Sequence, residues 1–362
     1  MKIKKSKEII DRINELEDIN ELNCNLSEMF LYVIGDRSLI NKTEVETIAK
    51  KHNLDINDLC LDKLCDVWEI DPENEENSLV FQSYIAPNVF LGDKNEFENN
   101  PYFKTIRPKE VRTKDYQLTY DYYAPYELFS YDDISVDEGY VEHSKISYFA
   151  DKFKFLALNY KDVTWMSITP NEIKTMEPAI KEAKGNIIVF GLGLGYFAFM
   201  TSIKEDVKSI TIIENDINII NIFNNHLLPL FPQKDKIRIV HKDAFEVIKS
   251  DFEYDFAFVD LWHSVEDGLD FFLKFKAQEK NHPHTKFSYW LNNSFYALLR
   301  RAFITLLSEQ LEGLDSSHYQ EEESTFDRLV NLFYQKTKNI QIEDVHSLNN
   351  LLQDNNLLSL IV

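Results

Sequence analysis

The sequence predicts an α/β fold in three parts: an N-terminal helical region over residues 1–75, a small antiparallel β-rich domain over 76–176, and a parallel sheet with its helices over 177–362. Three observations predict it. Apolar residues recur at helical spacing through the first part, Tyr and Phe crowd into alternating runs in the second, and short apolar runs alternate with helical stretches in the third. That last rhythm marks a parallel sheet, because parallel strands need a helix-sized crossover between them. A chain of 362 residues has room for two or three such units, at ~100–200 residues each.

In the first part, Ile9, Ile10, Ile13, Leu16 and Ile19 follow one helical stripe with charges between them. Asn41, ahead of Lys42, Thr43 and Glu44, reads as a helix start, with Val45, Ile48 and Ala49 behind it. Residues 53–64 offer another short helix, and the polar run Asp71-Pro72-Glu73-Asn74-Glu75-Glu76-Asn77 marks a break. Such a helical module packs or dimerises; nothing in it looks catalytic. In the second part, residues 153–158 and 163–166 read as adjacent strands on either side of Asn159, Tyr160, Lys161 and Asp162. The tyrosines there read as strand packing, with the lining of a site as the alternative. Residues 345–362 read as one leucine-rich helix, or a helix and a strand. Whether the parallel sheet ends in an antiparallel strand pair stays open, because the last part of the chain looks helix-rich.

Composition narrows the function classes. Hydrophobic residues at 44% suffice for a sizeable core and argue against wholesale disorder. A formal charge of -22 repels a phosphate backbone, so nucleic acid is a poor partner. The cysteines Cys24, Cys60 and Cys65 form no regular framework, which suits buried free thiols in a reducing compartment. The Cys60–Cys65 spacing lacks a second pair, so no metal is expected. No apolar run reaches the ~18–20 residues of a membrane span. The N-terminal lysines are followed by Glu8, Asp11 and Arg12 rather than an apolar signal core, so a soluble, cytoplasmic protein is expected. A homo-oligomer is compatible with the helical N-terminus.

The chemistry gathers at strand ends. Asn186-Ile187-Ile188-Val189-Phe190 suits a strand buried on both faces, and it feeds into Gly191-Leu192-Gly193-Leu194-Gly195 before a helix starting near Tyr196. Glycines there let the backbone turn sharply and approach a ligand, or they serve a purely structural turn. The spacing is not the Gly-x-Gly-x-x-Gly that cradles a pyrophosphate; it suits an adenosyl sulfonium with its amino-acid tail. The next strand, residues 209–213, ends at Glu214, close to the ~20-residue interval at which an acid reaches ribose hydroxyls. Asp216 lies just beyond. Residues 236–240 lead to Asp243, placed to accept from an adenine amine, and to Ala244. Residues 254–259 end at Asp260, followed by Leu261, Trp262 and His263. Asp260 reads as a base or an orienting group for an acceptor; His263 reads as a general base or a surface imidazole. Residues 286–291 read as a fifth strand with Asn292 and Asn293 at its tip.

Gly191 to Gly195, the run Ile212-Ile213-Glu214-Asn215-Asp216, the run Asp243 to Ile248 and the run Tyr254 to Asp260 resemble the spermidine synthase branch of the class I methyltransferase superfamily. The resemblance covers about residues 163–263. It implies a Rossmann-like sheet behind a small β-domain, with S-adenosylmethionine or a relative held by Gly191, Gly193, Gly195, Glu214, Asp243 and Ala244. Beside it, Glu172 and Trp262 stand as candidates for the acceptor side and Asp260 and His263 as candidates for catalysis, the last three from their places around the strand-four tip. The chain departs from the polyamine synthases where they carry a Gln, an Asp-Glu pair and a Tyr; here stand Met166, Asn171-Glu172 and Thr175. Their second strand-four Asp is replaced by His263. Losing a carboxylate that pairs a buried ammonium costs ~2–5 kcal/mol of recognition. The run from Trp165 to Glu172 sits where the cofactor's tail or the acceptor would lie; its Thr169-Pro170 reads as a helix start or as a ligand contact.

The expectation is therefore an S-adenosylmethionine-dependent methyltransferase acting on a small-molecule or protein acceptor. The alternatives are a polyamine aminopropyltransferase using the decarboxylated cofactor, and a non-catalytic nucleotide-binding module kept for assembly.

Overall fold

The computed structural model describes residues 1–319 and 324–362. Its centre is a five-stranded parallel sheet in the order Ile237–His241, Val207–Glu214, Gly185–Phe190, Phe256–Val259 and Lys286–Tyr289. Counted along the chain this is 3-2-1-4-5, so the strand order reverses beside the first strand. Ligands of open α/β sheets sit at such a reversal, outside the carboxyl ends of the strands. Ile187, Ile188, Val189 and Phe190 pair with 256–259 on one side and 210–213 on the other. A strand buried on both faces explains the unbroken apolar run.

The helices Tyr196–Ser202, Ile217–Ile222, Ala244–Ile248 and Val265–Gln278 follow the first four strands. After the fifth strand comes the long helix Asn292–Glu312, and among the described residues no further strand joins this sheet. Asn292 and Asn293, expected at the tip of the fifth strand, already lie in this helix, which begins at Asn292 behind Leu291 in the left-handed region at φ 55°. Its free amides are met from outside, by Asp133 on Asn293 N (2.9 Å) and Ser294 N (3.2 Å). Residues 345–362 form two short helices, Val345–Leu351 and Asp354–Ile361, with no strand. Gln353 breaks them by adopting an extended backbone.

Ahead of the parallel sheet lies a four-stranded antiparallel sheet ordered Val163–Ser167, Phe153–Tyr160, Tyr116–Tyr123 and Val111–Arg112. Its hairpin turns on Lys161 (φ 48°) and Asp162 (φ 66°), the two positive-φ positions that match the twist of paired strands. A bulge between Thr164 and Met166 re-aims the second strand.

The N-terminal helices are Lys7–Val33, Lys42–His52, Ile56–Trp68 and Glu75–Val80. Asn41 caps the second by accepting from Glu44 N, and Asn53 ends it in the left-handed region, so the next helix starts later than residue 53. Asp55 caps that one. The polar break shrinks to a turn at residues 72–74, because Glu75 already lies in a helix. The first helix serves two cores. Ile9, Ile13 and Leu16 enter the large core around the parallel sheet, while Leu26, Phe30 and Val33 enter a smaller one with Cys60, Leu64 and Tyr148. Burial pushes the thiols of Cys60 and Cys65 up to about 11.

Candidate functional site

At the carboxyl edge of the parallel sheet opens a cleft of about 620 Å³, within the ~300–1,000 Å³ of small-molecule sites. Gly191, Gly193, Gly195, Glu214, Asp243, Ala244, Asp260, Trp262, His263 and Glu172 all line it. They come from the ends of four strands and from the helix Pro170–Glu182, so a single concave surface collects positions as far apart as Glu172 and His263, as the fold's reversal point requires.

The three glycines differ in what they do. At Gly191 (φ 97°) a Cβ would overlap the carbonyl oxygen of Asp260, and at Gly195 (φ 77°) it would overlap the Phe223 ring. Those two are required by packing. At Gly193 (φ 52°) a Cβ would meet nothing within 4 Å, so only there does the missing side chain leave open space in the cleft. Tyr102, from the antiparallel half, braces the loop by donating its hydroxyl to Leu194 O at 2.7 Å.

Glu214 is buried, yet three backbone amides hold its carboxylate. Leu192 N donates to Oε2 at 3.2 Å, and Asn215 N and Asp216 N donate to Oε1 at 2.8 Å each. Burial outweighs these bonds and raises its pKa. A carboxylate offers about four acceptor sites, so roughly one remains for a ligand hydroxyl rather than one for each oxygen. Asp216, just beyond, is held ionised: against the desolvation that raises it, the Tyr116 hydroxyl (2.5 Å) and Asn218 N lower its pKa. Asp243 caps its helix through Oδ1, on Phe245 N (2.6 Å) and Glu246 N (3.2 Å).

Asp260 and Glu172 both line the cleft with raised carboxyls. Burial, and then the charge of Glu214, push Asp260 up to about 7. Burial, and then the charge of Asp260, raise Glu172 well above the ordinary carboxyl range. Helix Pro170–Glu182 presents Glu172, with Thr169 as its N-cap and Pro170 in its first turn, so the helix-start reading of Thr169-Pro170 is the one seen. Trp262 is buried under Gly268, edge-on to Phe295 at 5.1 Å, and among the described residues no acceptor meets its indole N–H. His263 is half-exposed, with Nδ1 3.2 Å from Asp267 Oδ2.

Sequence reasoning missed Asp267, Trp290 and Lys242. Trp290 lines the cleft and donates its indole N–H to Thr175 Oγ1 at 2.8 Å. Its only signal was its place at the end of the fifth strand. Asp267 was visible only as the fourth residue after His263.

Fold and cleft together define an α/β protein with an open cleft at the carboxyl edge of its parallel sheet. Among solved structures the likeness is to spermidine synthases. One from Thermotoga maritima is 15% identical with a TM-score of 0.30, over 41% of this chain and 58% of that one. A spermidine synthase in complex with the transition state analogue AdoDATO is 15% identical with a TM-score of 0.32, over 54% of this chain and 64% of that one. This chain thus spans less than two thirds of either structure's length. No family model and no curated protein matches it. Among the described residues no helix is long and apolar enough to cross a membrane, and no group of three or more His, Cys, Asp or Glu is set to hold a metal.

Proposed function

We propose that the chain is an S-adenosylmethionine-dependent methyltransferase-like enzyme of the spermidine synthase-like branch, acting on a small-molecule or protein acceptor. The observation that carries this is the convergence of the glycine loop, Glu214, Asp243 and Asp260 on one cleft. The open space over Gly193 and the unmet indole N–H of Trp262 fit a ligand of that kind. Glu214 offers its remaining acceptor site to a ribose hydroxyl, and Asp243 offers Oδ2 to the adenine amine, since Oδ1 is committed to the helix cap. When bound, the adenosyl sulfonium supplies an already activated methyl group. The chain's own task is then alignment of an acceptor and removal of its proton, which needs few obligatory side chains. Asp260, Glu172 and His263 lie on the cleft wall for that task.

One observation favours a second reading. Glu172, Glu214, Asp216, Asp243 and Asp260 all line the cleft, and among the described lining residues Lys242 is the one lysine or arginine. Such a wall suits a cationic ligand without a carboxylate, as the decarboxylated cofactor of aminopropyl transfer is. The replaced polyamine-binding residues speak for the methyl donor. Titration calorimetry with the two sulfonium compounds separates the readings. Tighter binding of S-adenosylmethionine is the expected result, preference for the decarboxylated form supports aminopropyl transfer, and binding of neither leaves a non-catalytic module.

A further inference from the structure

His263 sits at the cleft wall between an acid and an indole. Asp267 accepts its backbone N–H at 3.1 Å and faces its Nδ1 at 3.2 Å. Asp267 is also the third residue of helix Val265–Gln278, where it accepts Ser264 N at 2.8 Å and completes a capping box. The acid is therefore fixed by its own helix before it meets the imidazole. Against the desolvation that raises it, the bonds from Ser264 and His263 hold its carboxyl below the ordinary range. An ionised carboxylate only accepts, so the proton in the 3.2 Å contact belongs to Nδ1, and the neutral ring keeps a bare lone pair at Nε2. From the other side Trp165, on the re-aimed strand of the antiparallel sheet, meets the ring edge-on at 4.3 Å between centroids. A capping box needs only Ser264 and Asp267; it has no use for an imidazole clamped between two domains' worth of side chains. Both Trp165 and His263 line the cleft.

We propose that His263 Nε2 takes the proton an acceptor loses during transfer, that Asp267 is the positioning residue that sets the ring's tautomer, and that the acceptor atom is accordingly an oxygen, nitrogen or sulfur bearing hydrogen. This rests on the transferase reading above. The acceptor's lone pair forms the bond to the methyl carbon as the carbon–sulfur bond breaks and its electron pair stays on sulfur. The acceptor's proton passes to Nε2, and the imidazolium so formed faces the Asp267 carboxylate until solvent removes the proton. A thioether acceptor has no proton to give and leaves this pair without a task.

Nitrogen-15 NMR of histidine-labelled full-length protein tests the arrangement without any acceptor, the His263 signal being assigned by its loss in His263→Asn. A neutral ring protonated at Nδ1, shifting toward the Nε2-protonated form in Asp267→Asn, is the expected result. A wild-type ring protonated at Nε2 overturns the proposal. Calorimetry with S-adenosylhomocysteine on the same samples separates the two levels: no binding by wild type sinks the transferase reading itself, whereas binding with the wrong tautomer sinks only the His263–Asp267 assignment. Isotope-labelled methyl transfer into simple phenols, alcohols, amines, thiols and thioethers completes the test. Transfer to the hydrogen-bearing acceptors should fall roughly 10²–10⁴-fold in His263→Asn with homocysteine-compound binding retained. Undiminished transfer, or transfer to thioethers alone, overturns the proton role.

Discussion

Burial raises the carboxyls of Glu172, Glu214, Asp216, Asp260 and Asp267, in and beside the cleft, and only at Asp216 and Asp267 do the hydrogen bonds outweigh it. Asp216 and Asp267 are each met by several hydrogen bonds and stay below the ordinary carboxyl range. Asp260 and Glu172 are raised by burial and by neighbouring acids, Asp260 to about 7 from 3.8. The native state therefore binds a proton at this pair more tightly than the unfolded chain does. Its contribution to stability is fully present below about pH 4 and is lost as pH rises through about 7. Asp260→Asn should flatten the pH dependence of urea stability between about pH 4 and 7; an unchanged slope would show that Asp260 is ionised throughout. The glycines give a second test at this scale. Gly193→Ala meets open space and bears only the left-handed backbone penalty, about 1–2 kcal/mol. Gly191→Ala adds a clash with the Asp260 carbonyl and should unfold at a clearly lower urea concentration. Equal losses in the two variants would refute that division. Gly191, Glu214 and Asp260 were legible in the sequence because each ends or follows an apolar run suited to a buried strand, whereas Asp267 was not. Their hydrogen-bond commitments were not. Nothing in a sequence tells that three amides already occupy Glu214, or that two of the three glycines answer to Phe223 and Asp260 rather than to a ligand.

At the scale of elements, contacts between the two sheets' halves settle what local propensity left undecided. The helix Asn292–Glu312 starts behind a left-handed Leu291 with no side-chain cap of its own, and Asp133 from the β-rich part supplies the missing acceptors on Asn293 N, Ser294 N and Ser294 Oγ. Asp133→Ala should cost about 0.5–2 kcal/mol, and Asp133→Asn less, in denaturant titrations. Equal stability of all three proteins would mean the contact caps nothing. The start of this helix was not legible in the sequence, because the acceptors that meet its first amides lie some 160 residues away. The hairpin of Phe153–Tyr160 and Val163–Ser167 was legible from its alternation, while its bulge was not. That bulge carries Trp165 to His263, and it depends on a partner strand no local pattern records. The end of the chain was misread for a similar reason. Leucine-rich residues 345–362 have no period that distinguishes one helix from two, and the extended Gln353 that divides them answers to Asn350 and to the Tyr140 hydroxyl.

Across the whole molecule, the first helix is the tie. Lys7–Val33 feeds its first turns into the core of the parallel sheet and its last turns into the small core under Trp68. Midway, Arg301 of the helix Asn292–Glu312 reaches Ser27 Oγ at 2.9 Å and pairs with the buried Glu142, whose backbone N–H donates to Asn23 Oδ1 at 2.9 Å. Lys2–Ile3 pairs in parallel with Gln341–Ile342, so the chain's two ends close on each other. An uninterrupted helix shared by two cores, with a desolvated ion pair packed beside it, should make their unfolding one event. Trp68, packed on Phe30 and bonded to Met29 O, reports the small core; Trp262 and Trp290 report the large one. Ile13 is fully buried in the large core, and Ile13→Ala should cost about 2–5 kcal/mol. The shift should appear equally in a protein whose sole tryptophan is Trp68 and in one that lacks only Trp68. If the Trp68 transition stayed in place while the other moved, the helix would be a strap between independent units rather than the member that joins them.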